Sequence, residues 1–300
     1  MVRSNRTTPI VSLEKYLTCN TITYSDCVAI TPDILYSQGM LANAYFFGHP
    51  KWAIKDFRRE THNPFWRRRW QAVIPSWDDK VVVDIGCGPG HVYATLGGHP
   101  RIMIGVDISL NALKMAAQIG YTPLLANAED LPLKSRFADI VTLDATLHHC
   151  DDMVAVLKEA ARLVKPGGLL VTDLDPQCSA WNFKGLGLCV NKARRRFPLY
   201  WLMRFDRYRS RPEIEMRLAT ETHNAKPGDG VTPNLYQDVL EPLGFDVQVY
   251  PHNHNVGEEL FSGELGRLPW PYRLAQILSG IQPDRPESAQ SMMCVARLMS

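Results

Sequence analysis

Three kinds of pattern are missing from this sequence, and each absence excludes a class of protein. The seven cysteines are odd in number and scattered, and they include no C-x-x-C pair. This usage argues against a disulfide framework and indicates reduced thiols in a cytoplasm. No apolar run is long enough to span a membrane, and no apolar core follows Arg3 and Arg6 as it would in a secretory signal. We therefore expect a cytoplasmic protein with no membrane partner.

An excess of one charge is also missing. The formal net charge is only +2, so no global field would attract nucleic acid, and we expect no nucleic-acid partner. Internal repeats and low-complexity segments are absent as well. The 45% hydrophobic content is typical of a globular enzyme, and 300 residues can hold one domain with large additions. None of these features indicates an oligomeric state.

The most informative stretch present is residues 81–90, which read V-V-V-D-I-G-C-G-P-G. The β-branched run predicts a strand buried on both faces, and the G-x-G-x-G spacing predicts a tight turn that a ligand can approach closely. Backbone N–H groups exposed by such a turn favour a carboxylate or another anion. The sequence therefore predicts an anion-binding loop directly after a buried strand.

Polar residues end the next three predicted strands. Asp107 ends the second strand, where an acid can accept hydrogen bonds from both hydroxyls of a ribose. Asn127 follows the third strand, and Asp144 ends the fourth. Because the carboxyl ends of parallel strands meet at one edge of a sheet, we expect these side chains to converge on the glycine turn.

Four motifs between about Lys80 and Asp175 carry a family resemblance: D-I-G-C-G-P-G, G-V-D-I-S, L-H-H and K-P-G-G-L-L. Together they resemble the class I S-adenosylmethionine (SAM)-dependent methyltransferases, in the small-molecule branch called methyltransferase type 11. The resemblance implies an α/β, Rossmann-like fold with a seven-stranded, mostly parallel sheet whose last strand is antiparallel, and SAM as cofactor. A nicotinamide-binding domain would more often show G-x-G-x-x-G.

The same resemblance implies the cofactor contacts. Gly86 and Gly88 would lie under the amino-acid part of SAM, and Asp84 would hold the loop or the ammonium group. Asp107 would bind the ribose, and Asn127, where the family usually has Asp, the adenine amino group. Cys87 is interpreted as a small residue that fills the turn. The full predicted cofactor-binding set is Asp84, Gly86, Cys87, Gly88, Gly90, Asp107, Ile108, Asn127, Ala128 and Leu143.

Three side chains near the end of the fourth strand are the predicted catalytic set: Asp144, His148 and His149. A histidine whose pKa is near neutrality suits removal of a proton from a hydroxyl or ammonium nucleophile. L-H-H is common in this branch, so a structural role for the pair stays open. We predict no metal, because no ligand spacing elsewhere in the sequence completes a site.

Four segments are predicted: an N-terminal helical lid (1–75), the SAM-binding core (76–176), a basic helical insertion (177–231) and a C-terminal completion of the sheet (232–300). In the lid a helix is predicted to begin at Thr31 as N-cap. The lid aromatics either pack on the core or face the sulfonium of SAM. The arginines of the insertion form a solvated surface, a pocket for a carboxylate or phosphate of the acceptor, or an RNA surface.

The predicted function is transfer of the SAM methyl group to an O, N or C nucleophile of a small-molecule acceptor, in specialised metabolism. Two alternatives remain open. In one, the amine of SAM attacks its own side chain, closes a small ring and releases methylthioadenosine. In the other, the chain is a SAM-binding regulatory subunit without catalytic activity.

Overall fold

The computed structural model describes residues 13–18, 21–196, 219–224 and 226–299. Within them, nine strands form one sheet in the spatial order β1-β2-β5-β4-β3-β6-β7-β9-β8. The strands are β1 (Thr23–Ser25), β2 (Val28–Ile30), β3 (Val81–Ile85), β4 (Ile102–Asp107), β5 (Thr122–Leu125), β6 (Ala138–Asp144), β7 (Val164–Pro176), β8 (Phe245–His252) and β9 (Ser291–Leu298).

The centre of the sheet is parallel. Strands β5, β4, β3, β6 and β7 pair in parallel, whereas β9 runs antiparallel to both of its neighbours, β7 and β8. This arrangement confirms the predicted Rossmann-like fold and its antiparallel last strand. The chain order reverses between β3 and β6, and ligands of such sheets bind outside the carboxyl ends of the strands at that point.

The strand count differs from the prediction of seven. A short hairpin, β1 and β2, extends one edge of the sheet, and β2 pairs in parallel with β5 through Ala29 and Ile30. Each of these strands has three residues, which is too short to show a period-two pattern in the sequence. Only Val28 and Ala29 in the hairpin are fully buried. The hydrophobic pattern of the sequence therefore gives little indication of these two strands.

Helices cover both faces of the sheet. They are α1 (Gln38–Gly48), α2 (Pro50–Thr61), α3 (Pro64–Val73), α4 (His91–Leu96), α5 (Leu110–Ile119), α6 (Met153–Leu163), α7 (Cys178–Trp181), α8 (Gly185–Arg196), α9 (Pro233–Leu240) and α10 (Trp270–Ile277). Short 3-10 turns include Leu147–His149, directly after β6. In the part of the chain described, no helix is long and apolar enough to cross a membrane.

The predicted helix start at Thr31 is wrong. The first lid helix, α1, begins after Ser37, whose side chain accepts a hydrogen bond from the backbone N–H of Met40. The backbone N–H of Thr31 instead donates to the carbonyl of Leu125, and Asp33 has a left-handed φ of 59°. A residue in that conformation cannot continue a right-handed helix, so the helix forms only beyond it.

Capping side chains mark where two helices beside the core strands begin. Ser109 caps α5 by accepting from the N–H of Ala112, and Asp152 caps α6 by accepting from two backbone N–H groups. A Ser or Asp oxygen at these positions satisfies donors that the first helical turn leaves free. The capping oxygens thereby fix where both helices start beside the core strands.

The insertion begins with α7 and α8, and α8 packs against α10. A parallel bridge joins Gln177 to Val231, the two ends of the predicted insertion. The boundaries of the insertion, like those of the other three predicted segments, stay a prediction. The side chains of Arg194, Arg195 and Arg196, at the end of α8, are not described. Four further arginines of the predicted insertion lie outside the described residues: Arg204, Arg207, Arg209 and Arg211.

Candidate active site

The glycine loop joins β3 to α4 at the carboxyl edge of the sheet. Gly86, Gly88 and Gly90 all have positive φ, of 71°, 52° and 92°. A Cβ on Gly86 would overlap Thr146, and a Cβ on Gly90 would come within 2.8 Å of the ring of Tyr121. A Cβ on Gly88 would meet nothing within 4 Å. The loop is thus packed from below at its two ends and open at its centre.

The open centre of the loop faces a cavity of about 590 Å³. Gly86, Gly88, Asp107 and Ile108 line it. Asp107 fixes the loop, because its Oδ2 accepts from the N–H of Gly88 at 2.9 Å while its Oδ1 accepts from the N–H of Ser109 at 2.8 Å. Burial raises the pKa of Asp107, and the backbone N–H bonds oppose that rise. Each carboxylate oxygen keeps a further lone pair for a ligand.

The end of β5 supplies the next part of the lining. Asn127 and Ala128 both line the cavity. The Oδ1 atom of Asn127 accepts from the backbone N–H of Glu129 at 3.0 Å, which fixes the orientation of the amide. A carboxamide oxygen has two lone pairs, so Oδ1 can still accept from an amino group in the cavity.

Four residues of the predicted cofactor set do not line the cavity: Asp84, Cys87, Gly90 and Leu143. Asp84 is buried, and its two carboxylate oxygens accept from the hydroxyls of Tyr121 at 2.7 Å and Thr142 at 2.9 Å. Burial raises the pKa of Asp84 to about 6, against the opposing hydrogen bond from Tyr121. Asp84 therefore lies outside the cavity lining with both carboxylate oxygens already paired, and its role towards the cofactor stays a prediction.

Asp144 also lines the cavity, in contact with two side chains that sequence reasoning did not connect to it. Its Oδ1 accepts from the indole Nε1 of Trp66 at 3.1 Å, and its Oδ2 lies 2.7 Å from Nε2 of His91. Burial raises the pKa of Asp144 to about 6. Burial alone would lower the pKa of His91, but its hydrogen bond to Asp144 and the negative charges of Asp144, Glu60 and Asp84 together raise it. The pair can therefore hold one proton near neutral pH.

His148 and His149 also line the cavity, and their pKa values shift in opposite directions. Nδ1 of His148 lies 2.8 Å from Oδ1 of Asp175, and this carboxylate raises the pKa of His148 although burial opposes it. Nδ1 of His149 donates to the carbonyl of Thr220 at 2.6 Å. Burial and the neighbouring His148 hold the pKa of His149 well below its ordinary value, so His149 stays neutral.

A buried ionic network supports this wall from behind. Asp173 accepts from Arg69, Trp70 and His252 at distances of 2.8 to 3.0 Å. Burial alone would raise the pKa of Asp173, but the positive charge of Arg69 and the bond from His252 hold it well below the ordinary value. Because Arg69 and Trp70 belong to α3, this lid helix is anchored to β7 by buried hydrogen bonds.

The lid aromatics fall into two groups. Phe46, Phe47 and Phe57 line the cavity. Trp52 is buried against Phe46, with ring centroids 6.2 Å apart, and Tyr45 is largely exposed. Packing on the core therefore describes Trp52, whereas contact of Phe46 or Phe47 with the sulfonium of SAM stays a prediction.

Sequence reasoning missed His91, Trp66 and Glu221 as lining or supporting residues. His91 follows the glycine turn directly, and its place at the start of α4 next to the loop was a usable signal. Trp66 was read only as part of a packed helix. Glu221 comes from the insertion and reaches the cavity through tertiary folding alone, so no local pattern pointed to it.

The chain has a Rossmann-like methyltransferase fold. Residues 83–172 match the family model described as a methyltransferase domain. The chain is 31% identical over 114 residues to the ubiquinone biosynthesis O-methyltransferase of Nitrosomonas europaea, covering 35% of this chain and 48% of that protein. It is 36% identical over 95 residues to the Arabidopsis thaliana tRNA (carboxymethyluridine(34)-5-O)-methyltransferase, covering 30% of this chain and 23% of that protein.

Similar folds occur among solved structures. The protein in complex with the Haloferax volcanii Trm112 methyltransferase activator has a TM-score of 0.50 and 16% identity, and the match covers 85% of this chain and 98% of that one. At this identity the likeness shows the fold alone. The chain spans about half the length, or less, of the two curated relatives above.

The residues present fit SAM, the cofactor of this domain. Gly88 lines the cavity at a point where even a methyl group would meet open space, so the backbone can be approached closely. Beside it stands the carboxylate of Asp107, followed by the small Ala126 and Ala128 and the amide of Asn127. A loop that a ligand can approach closely, an acid, and small side chains beside an amide suit, in this order, an amino acid, a ribose and a purine.

Proposed function

We propose that this chain transfers the methyl group of SAM to an O, N or C nucleophile of a small molecule. One observation supports the proposal most directly. A single cavity joins the cofactor side, with Gly88 and Asp107, to a side that carries titratable groups, with Asp144, His91 and His148. A methyl donor bound on the first side would face an acceptor bound on the second.

The proposed cofactor contacts follow the cavity lining. Gly86 and Gly88 lie under the methionine part of SAM, Asp107 accepts from the ribose hydroxyls, and Asn127 accepts from the adenine amino group. Ile108 and Ala128 flank the purine. Asp84 acts through the loop, because Tyr121 and Thr142 already occupy its oxygens.

SAM supplies an activated methyl group, and the chain supplies alignment and exclusion of water. Phe46, Phe47 and Phe57 give the cavity an apolar wall, whose faces suit the positive sulfonium. An acceptor that arrives protonated must lose its proton. His148, held by Asp175, and the His91–Asp144 pair are the groups in the lining that can take it.

The insertion forms part of the proposed acceptor wall. Trp181, Thr220 and Glu221 line the cavity and belong to the predicted insertion. A small acceptor is favoured by the near-neutral net charge and by the likeness to a ubiquinone biosynthesis enzyme. A carboxylate or phosphate on the acceptor remains part of the proposal, since Lys55 and Arg59 also line the cavity.

Product analysis tests the proposal. The purified chain is incubated with SAM alone and then with a panel of phenols, hydroxy acids, amines and short RNAs. We expect S-adenosylhomocysteine only when a small acceptor is present, with the methyl group recovered on that acceptor. Formation of methylthioadenosine from SAM alone would show that the chain catalyses ring closure of SAM and not methyl transfer. SAM binding without any product would make the chain a regulatory subunit, and methylated RNA would overturn the small-molecule class.

A further inference from the structure

Three side chains of metal-binding type meet in the cavity. They are His148 and His149, from the 3-10 turn after β6, and Glu221, from the insertion. One ligand atom from each lies within 4.8 Å of the other two. The expectation of no metal rested on the sequence alone, in which no ligand spacing elsewhere supplies a third ligand that completes a site. Folding brings that third ligand from a distant part of the chain.

Both imidazole rings are held by their Nδ1 atoms. Nδ1 of His148 lies 2.8 Å from Oδ1 of the fully buried Asp175, which also accepts from the backbone N–H of His148 at 3.1 Å. Nδ1 of His149 lies 2.6 Å from the carbonyl oxygen of Thr220. An oxygen at Nδ1 fixes the tautomer that leaves the lone pair on Nε2. The same pairing orients histidine ligands in metal centres.

The carboxylate of Glu221 is placed to complete the set. Its Oε2 accepts from Nδ2 of Asn224 at 3.0 Å, which restrains it. The same Oε2 lies 3.9 Å from Nε2 of His148. That separation is too long for a hydrogen bond. It is close to the roughly 3.3–3.5 Å between two ligands of a tetrahedral ion that each bind at about 2.0–2.2 Å.

We infer that His148, His149 and Glu221 form a site for a first-row transition-metal dication. Two imidazoles and one carboxylate suit zinc, iron or cobalt, whereas magnesium and calcium prefer oxygen ligands alone. Three protein ligands leave a coordination position open towards the cavity. That position would take an oxygen atom of the acceptor, a step that rests on the proposed function.

Cobalt binding tests the site without SAM. The chain, freed of metal, is titrated with Co²⁺ alone, and binding is followed by calorimetry and visible absorption. We expect one equivalent to bind. Glu221→Gln, which removes a ligand, and Asp175→Asn, which loosens His148, should each weaken the affinity by about 10-fold to 100-fold. The matched controls are Glu264→Gln and His62→Ala at exposed positions, which should bind like the wild type.

Two outcomes would overturn the inference: a wild-type chain that binds no cobalt, or Glu221→Gln and Asp175→Asn variants that bind it as tightly as the controls. Circular dichroism confirms that each variant is folded. Because SAM is absent from the titration, its result does not depend on methyl transfer. Cobalt bound at this cluster by a chain that consumes no SAM would retain the metal site and reject the proposed function.

Discussion

The indole Nε1 of Trp66 lies 3.1 Å from Oδ1 of Asp144, and both side chains are buried. One belongs to lid helix α3 and the other ends β6, so this hydrogen bond ties the lid to the carboxyl edge of the sheet. Three residues further along α3, Arg69 makes a second contact of this kind, because it donates to Asp173 near the end of β7. Helix α3 is therefore anchored to the ends of β6 and β7 by buried polar contacts.

Trp66→Phe should destabilise the fold, because it leaves one buried oxygen of Asp144 without its donor. We expect the free energy of unfolding to fall by about 1–3 kcal/mol, the typical penalty for an unsatisfied buried group. Urea unfolding measures the change.

The matched control is Trp270→Phe, since Trp270 is 72% exposed and its replacement should leave the free energy of unfolding within about 0.5 kcal/mol of the wild type. Equal values for the two variants would show that the indole bond contributes nothing.

The parallel core, with Asp107, Asn127 and Asp144 ending its strands, could be predicted because strand runs and turn residues are local signals. The helix starts at Ser109 and Asp152 were local signals too. These features depend on neighbours within a few residues of each other. Patterns in the sequence indicate contacts of this short range, such as the bond from a capping side chain to the first turn of a helix.

The rest of the site depends on contacts between distant segments. Trp66 meets Asp144 across 78 positions, and Asp173 meets Arg69 across 104. No periodicity encodes such pairs. The hairpin at β1 and β2 was missed for a different reason, since strands of three residues carry almost no pattern.

Asp84 should make the stability depend on pH. Its pKa is raised to about 6 in the folded chain, against about 3.9 when unfolded. The folded state thus binds the proton more tightly, so the stabilisation is fully present below about pH 3.9 and is lost as the pH rises to about 6. A shift of this size corresponds to about 3 kcal/mol at most.

Asp84→Asn removes this titration. Between pH 4 and pH 7, the free energy of unfolding of the wild type should therefore fall by about 2–3 kcal/mol more than that of the variant. Urea unfolding at each pH measures the two slopes. Asp246→Asn, at an exposed position of β8, should keep the wild-type slope. Parallel curves for the wild type and Asp84→Asn would contradict the raised pKa.

Gly86→Ala should destabilise the fold through both backbone and packing. Alanine at a φ of 71° is strained, and its Cβ would overlap the side chain of Thr146. Together we expect a cost of about 2–5 kcal/mol. Gly263→Ala is the matched control: its φ is 94° and nothing lies within 4 Å, so only the backbone cost of about 1 kcal/mol should appear.

Thr146→Ala separates the two contributions, because it removes the overlapping Oγ1 and Cγ2 atoms. The double variant Gly86→Ala with Thr146→Ala should be less destabilised than the sum of the single variants, by about 1–2 kcal/mol. Chemical unfolding of all four proteins gives this coupling. Strict additivity would show that the two residues do not clash.

Asp107→Asn should weaken SAM binding, because the carboxylate is proposed to accept from both ribose hydroxyls. Hydrogen bonds to a charged group contribute about 1.5–3 kcal/mol each, so the dissociation constant should rise at least about tenfold. The same exchange also disturbs the bond to the N–H of Gly88.

A ligand lacking the ribose hydroxyls separates the two effects of the Asp107→Asn exchange. The wild type should bind this ligand at least about tenfold more weakly than SAM, whereas Asp107→Asn should distinguish the two ligands far less. Calorimetry measures all four affinities, with Asp246→Asn expected to behave like the wild type. If Asp107→Asn discriminated between the ligands as strongly as the wild type does, the ribose would bind elsewhere in the cavity.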